Sequence, residues 1–310
     1  MMCAKQAQPR VMHFQGAIIP TEEVAISPFD RGFLFGDGVY EGLRAFGGRV
    51  VGLDAHIRRM REGLAEARIT GFDPASLGPL TQELLAAEGL VDAFIYWQAT
   101  RGVPTPDAPP RQRGAGVLAA LAPTILGFAM PTPPLEACAE PDLKTVSLQP
   151  DLRWLRGRLK SISLLGGVLA GLDAASAGAD DAILVRDGLV AEAQSANLFI
   201  AKNGEVVTPS LDSAPILAGV TRGLLLAADP SIVERAIHTR ELERADEIIL
   251  VGTTTMVTAV THVDGSPVAG VCNGEPGVVA RNLLRTLVGA ICKDIQLPTP
   301  ACCRTATGAR

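Results

Sequence analysis

Residues 30–46 read Asp30-Arg31-Gly32-Phe33-Leu34-Phe35-Gly36-Asp37-Gly38-Val39-Tyr40-Glu41-Gly42-Leu43-Arg44-Ala45-Phe46. The last eight, VYEGLRAF, have the β-branched and aromatic content of a strand. Residues 93–100 (AFIYWQAT) read the same way. Upstream, residues 11–26 read as two strands around a turn at Pro20. Downstream, Asp54 is placed to cap a helix running to about Ile69. Its apolar positions Ile57, Met60, Leu64 and Ala67 recur at spacings of three and four, so they share one face. A second helix is expected over 76–88, ending at Gly89.

Residues 130–141 (MPTPPLEACAEP) hold four prolines in twelve positions, which suits a semi-rigid linker. We therefore expect a domain over 1–130, a linker at 131–141, a larger domain over 142–297 and a flexible tail at 298–310. The larger part alternates. A strand near 143–148 leads through a loop to Lys160, and a helix follows over 163–177. Strands are expected at 181–186, 197–201 and 246–251, and helices at 221–228 and 277–291. The last helix places Ala280, Leu284, Leu287, Val288 and Ile291 on one face. The fold class is α/β in two domains, without internal repeats.

The 310 residues are 47% hydrophobic and 20% charged, as in ordinary globular proteins. A net charge of −5 gives no basic footprint for nucleic acid. The uncharged run 114–130 is too short for a membrane span, is broken by Pro123 and Gly127, and reads as buried strand. The start of the chain lacks the apolar core of a signal peptide. Cys3, Cys138, Cys272, Cys292, Cys302 and Cys303 form neither a zinc pattern nor a disulfide framework, which suits reduced thiols in the cytoplasm. The four histidines lack metal-ligand spacing.

Lys160 lies in WLRGRLKSISLLGG. The apolar flanks Leu159, Ile162, Leu164 and Leu165 put it at the edge of a core, where a desolvated amine becomes a usable nucleophile. Two segments could bind phosphate. Gly219-Val220-Thr221-Arg222 opens a helix, whose first N–H groups face an anion. Gly252-Thr253-Thr254-Thr255 ends the apolar strand EIILV with backbone and hydroxyl donors. Glu192 follows a hairpin-like Asp187-Gly188 turn. It is either a strand-edge carboxylate facing water or a carboxylate that keeps a heterocyclic nitrogen protonated.

Taken together, these segments resemble the class IV (fold type IV) pyridoxal-5′-phosphate (PLP) aminotransferases. The resemblance runs through Asp30-Arg31-Gly32, Phe35 to Glu41, His56-Ile57-Arg58-Arg59 and Gln98 to Gly102. It continues through Arg153-Trp154-Leu155-Arg156 with Lys160, Glu192 to Asn197, Leu217 to Arg222 and Gly252 to Thr255. The nearest likeness is to D-amino-acid aminotransferases. It implies two α/β domains with PLP between them, and a homodimer. It implies that Lys160 is the Schiff-base lysine and Glu192 the partner of the pyridine nitrogen. Leu217 would pack on the ring. Arg59, Val220, Thr221 and Thr253 would form the phosphate cup, with Arg59 as its charged member. Tyr40 would help receive the substrate carboxylate, with Thr254 also on the substrate side. The reactants implied are an amino acid and a 2-oxo acid.

One part of the pattern is missing. D-amino-acid enzymes of the well-known type carry an Arg-x-His pair shortly after the Thr-Arg-Gly motif, and here Pro106 and Ala108 stand in those places. Glu41-Gly42-Leu43-Arg44 looks more like the branched-chain enzymes, so Arg44 is the candidate substitute, with Arg111 and Arg113 as alternatives from the loop. The readings that remain are a D-amino-acid transaminase, a branched-chain or (R)-amine transaminase, an aminodeoxychorismate lyase, and a PLP-binding protein without activity.

Overall fold

In the computed structural model, residues 8–109, 111–114, 121–271 and 274–301 are described. Cys3, Cys272, Cys302, Cys303, most of the expected tail and part of the uncharged run 114–130 lie outside the described residues. The first hairpin turns at Gln15 (φ 51°) and Gly16 (φ 91°), and two successive positive φ values are what a two-residue hairpin loop requires. The expected turn at Pro20 is therefore corrected. Pro20 pairs with Val11 at the end of an edge strand, where a missing N–H costs no ladder bond.

The chain divides into two compact units. One runs to Pro134 and takes in Leu159–Leu164; the other comprises Leu135–Arg158 and the chain from Leu165 onward. Lys160 thus belongs with the first unit, whereas the expected boundaries put it in the second.

The first unit is a six-stranded sheet, built from β1 (Val11–Phe14), β2 (Ala17–Pro20), β3 (Gly38–Phe46), β4 (Arg49–Val50), β5 (Ala93–Thr100) and β6 (Thr124–Pro131) in the order β2-β1-β6-β5-β3-β4. β3 pairs with β5 from Gly38↔Thr100 to Ala45↔Ala93. Helices α1 (Arg31–Phe35), α2 (Leu53–Ala67) and α3 (Leu77–Glu88) complete the unit. Asp54 falls in the first turn of α2, not at its cap. Gly52 holds the N-cap, and its carbonyl accepts from Ala55 and His56. Leu43, Met60, Leu64, Leu84, Ile95 and Trp97 lead the core between sheet and helices.

Asp30 is the pin at the start of the opening motif. It caps α1 by accepting from Gly32 N at 2.7 Å, and it also accepts from Thr100 Oγ1 at 2.9 Å and Thr124 Oγ1 at 2.6 Å. One buried carboxylate therefore fixes α1 to two strands. Asp37, at the other end of the motif, takes the guanidinium groups of Arg31 and Arg101.

The second unit is a nine-stranded sheet. Its strands are β7 (Asp142–Pro150), β8 (Asp181–Arg186), β9 (Leu189–Ala193), β10 (Asn197–Lys202), β11 (Glu205–Thr208), β12 (Val233–Glu234), β13 (Glu247–Gly252), β14 (Met256–Val263) and β15 (Ser266–Pro267). The order is β12-β11-β10-β13-β14-β7-β8-β9, with β15 on β14. Its helices are α4 (Leu165–Ser176), α5 (Val220–Ala228), α6 (Thr239–Leu242) and α7 (Val278–Asp294). α7 buries Ala280, Leu284, Leu287, Val288 and Ile291, the face read from its periodicity. α4 is inverted relative to an ordinary surface helix. It turns Ala170 and Ala174 inward, while Leu165, Leu169 and Leu172 face solvent. The expectation that Leu164 and Leu165 flank a core is corrected accordingly. Among the described residues no helix is long and apolar enough to cross a membrane.

Gly127 on β6 lies under the fully buried Trp97, and a Cβ there would overlap the indole. Gly127→Ala should cost about 1–3 kcal/mol by overpacking. The check is the urea midpoint, which an unstrained site would leave unchanged.

Candidate active site

The pleat of β3 sends successive side chains to opposite faces. Val39, Glu41 and Leu43 face α2, and Tyr40, Gly42 and Arg44 face the other way. Glu41 is fully buried. It accepts from Arg59 Nε at 2.7 Å and Arg59 Nη2 at 2.6 Å, and it lies 2.7 Å from His56 Nδ1. His56 and Arg59 stand one turn apart on α2, which brings both to the same acid. Burial pushes the Glu41 carboxyl up, but the Arg59 hydrogen bonds and charge, with the hydrogen bond from His56, outweigh it and bring its pKa down to about 2. Burial lowers the His56 pKa against the pull of Glu41, so the imidazole is neutral and its Nδ1–H points at the carboxylate.

On the opposite face, Tyr40, Tyr96 and Phe128 form a stacked row, with centroid separations of 5.5 and 5.1 Å. The Tyr96 hydroxyl donates to Gln98 Oε1 at 2.7 Å, and burial pushes its pKa above the ordinary phenol value. Lys160 Nζ sits 4.2 Å from the centre of the Tyr40 ring, a cation–π approach. The backbone fixes that meeting. Tyr40 N donates to Lys160 O at 3.0 Å, Ile162 N donates to Gly38 O at 3.1 Å, and Val39 bridges Ser161. Arg44 points elsewhere. Its guanidinium lies over Phe46 at 4.8 Å and donates to Pro133 O at 3.1 Å.

The second unit holds the other candidates. Glu192 is buried on β9, not exposed at a strand edge. Its Oε1 accepts from Arg153 Nη1 at 2.7 Å; its Oε2 accepts from Leu217 N at 3.1 Å and Asn197 Nδ2 at 3.2 Å. The tight Asp187–Gly188 turn, with both φ values positive, returns the chain into β9 and sets this position. Asn197 also donates to Leu217 O at 3.0 Å, and a side chain on Gly219 would collide with it. Leu217 is thereby placed beside the acid. Val220 and Thr221 open α5, whose N-cap Gly219 supplies no side-chain cap, so backbone donors there suit an anion. Thr253 and Thr254 lie in the turn between β13 and β14.

Each unit therefore joins part of the expected set: Tyr40 with Lys160 in the first, Glu192 with Leu217 in the second. Arg59 has two N–H groups committed to Glu41, and Arg44 holds the Pro133 carbonyl and lies over Phe46. Glu41, His56, Arg153 and Asn197 stand in the motifs without an assigned role, and Asp151 and Tyr96 carry no signal in the sequence.

Residues 38–263 match the family described as amino-transferase class IV. The chain belongs to the class IV aminotransferases. It is similar to the D-alanine aminotransferase of Bacillus licheniformis, 34% identical over 287 residues that cover 91% of this chain and 97% of that one. It is also similar to a putative branched-chain-amino-acid aminotransferase of Methanocaldococcus jannaschii, 33% identical over 281 residues covering 88% and 93%. Among solved structures, the Escherichia coli branched-chain amino acid aminotransferase superposes with a TM-score of 0.80 at 21% identity, covering 92% of this chain and 95% of that one. The branched-chain enzyme of Thermobaculum terrenum, in its PLP form, gives 0.78 at 22%, covering 91% and 94%. The low identities make these two a likeness of fold. The chain is thus a PLP-dependent aminotransferase of the two-domain α/β fold. Its residues suit that cofactor: a buried carboxylate with three donors for a protonated ring nitrogen, an amine beside an aromatic ring, and an uncapped helix start for a phosphate.

The depressed Glu41 pKa predicts an acid-sensitive first unit. Its folded value of about 2 lies below the ordinary 4.5, so the stabilisation is complete above about 4.5 and fades as the pH falls toward 2. Glu41→Gln should destabilise the protein at neutral pH, with the gap to wild type closing over that window. Denaturant titrations at several pH values check this, and a gap independent of pH would contradict it.

Proposed function

We propose that this aminotransferase takes the amino group of a D-amino acid, such as D-alanine or D-glutamate, and delivers it to a 2-oxo acid. The observation that supports this most is the Lys160 amine lying over Tyr40, together with the likeness to the Bacillus licheniformis D-alanine enzyme over almost the whole chain. Lys160 would attach the cofactor, and its amine would hold and move the proton at the substrate Cα. Glu192 keeps the ring nitrogen protonated by charge pairing. PLP supplies the sink for the electrons left when the Cα–H bond breaks. Val220, Thr221, Thr253 and Arg59 are assigned to its phosphate, Leu217 to its ring, and Tyr40 and Thr254 to the substrate.

Pro106 and Ala108 lack the groups of an Arg-x-His carboxylate trap, which favours branched-chain substrates as a second reading, as does the likeness to the Methanocaldococcus jannaschii protein. Arg44 shares the Tyr40 face of β3 and remains the candidate carboxylate partner.

The absorbance of the PLP-loaded protein separates these readings. D-Alanine or D-glutamate should bleach the yellow form, and Lys160→Ala should abolish turnover. Bleaching by L-leucine alone would move the chain to branched-chain substrates; full activity in the Lys160 variant would refute the assignment.

A homodimer is part of the same reading. Leu152, Leu155, Leu165, Val168, Leu169 and Leu172 are all exposed in the single chain. A helix with alanines inward and leucines outward fits an apolar partner, and we assign that face to a second copy. Leu169→Asp should shift the protein from dimer to monomer in sedimentation equilibrium. A wild type that sediments as a monomer would contradict the assignment.

A further inference from the structure

Glu192 is the last member of a chain of four charges, in which the two acids are buried and the two arginines are partly exposed. Arg153 donates to Asp151 through Nε at 2.9 Å and Nη2 at 3.2 Å, and to Glu192 through Nη1 at 2.7 Å. Asp151 is 5% exposed. Arg186 stands behind it, 3.3 Å from Asp151 Oδ1, and ties the carbonyls of Asp151 and Arg153 at 2.9 and 2.6 Å. Gly166 makes room for the Arg153 stem, since a Cβ there would lie 3.2 Å from Cγ. Two acids and two guanidinium groups balance. The fork geometry of arginine lets one side chain hold both acids at fixed angles, which a lysine cannot do.

This arrangement has a chemical consequence beyond packing. A carboxylate and a ring nitrogen that share a proton in a dry site can hold it on either atom. The neutral pair is favoured unless something stabilises the carboxylate charge. Arg153 touches Glu192 directly, so its charge stabilises the anion more than it opposes a cation on the ring beyond it.

We infer that Arg153 is a positioning residue: anchored on Asp151, it holds Glu192 in one rotamer and in its charged form, so that the shared proton stays on the cofactor nitrogen. The inference rests on the role proposed for Glu192. The signal of the ring nitrogen tests it directly, by nuclear magnetic resonance of the enzyme loaded with PLP carrying nitrogen-15 in the ring.

Wild type should show a protonated nitrogen. Arg153→Gln should move the signal toward neutral pyridine and lower kcat by roughly 10–100-fold, the range seen when the orienting partner of a metal ligand is removed. Arg153→Met gives the same readout if the glutamine variant does not fold, because it fills the space without a polar group to satisfy. Arg153→Lys, which keeps the cation, should retain the protonated signal. A neutral variant with the wild-type signal would overturn the inference while leaving Glu192 in place. An unprotonated nitrogen in wild type would instead overturn the role of Glu192 itself.

Discussion

The short bridge between residues 160–162 and β3 is the constraint on which the first half of the site depends. Two backbone hydrogen bonds, from Tyr40 to Lys160 and from Ile162 to Gly38, return a segment from the second part of the chain to the first unit. With the backbone paired, strand geometry sets the Lys160 Cα beside Tyr40, and the side chain then lays its amine over that ring. The aromatic row of Tyr40, Tyr96 and Phe128 then gives Lys160 a fixed apolar platform. Because a one-residue slip would exchange the faces of β3, the same register also decides that Glu41 meets α2 and that Tyr40 meets the lysine.

The two units use one electrostatic device. In each, a buried glutamate is clamped by an arginine: Glu41 by Arg59 at 2.6 Å, Glu192 by Arg153 at 2.7 Å. A buried carboxylate without such a partner would take up a proton or destabilise the fold. The partners differ in what stands behind them. His56 is neutral and adds a hydrogen bond to Glu41, whereas Asp151 returns a full charge to Arg153. The first cluster therefore serves to lock β3 to α2, and the second passes order outward to a single carboxylate.

Much of this is legible in the sequence, for identifiable reasons. β3, β5 and β8 follow from β-branched and aromatic runs, and α3 ends at Gly89 because the C-cap takes a left-handed conformation there. α7 follows from its 3.6-residue period. The first hairpin is easily misplaced because Gln15–Gly16 is a weak turn signal beside Pro20, and Asp54 resembles a cap because Gly52 caps through its backbone alone. β11 escapes assignment because it is only four residues long, and β14 because its first five residues are all buried and show no alternation. The roles at the site come from motif resemblance. The Asp151–Arg153–Glu192 chain cannot come from spacing, because it joins residues 39 positions apart through the fold. The exposure of α4 is likewise hidden, since periodicity does not say which face of a helix lies inward.

The central claim is that Lys160 is the amine that carries the cofactor. The chain has five lysines, Lys5, Lys144, Lys160, Lys202 and Lys293, so the claim can be settled by locating one covalent mark. The PLP-loaded protein, reduced with borohydride and digested, should yield the phosphopyridoxyl group on the peptide containing Lys160 and on no other. A mark on any other lysine, or none, would contradict the account.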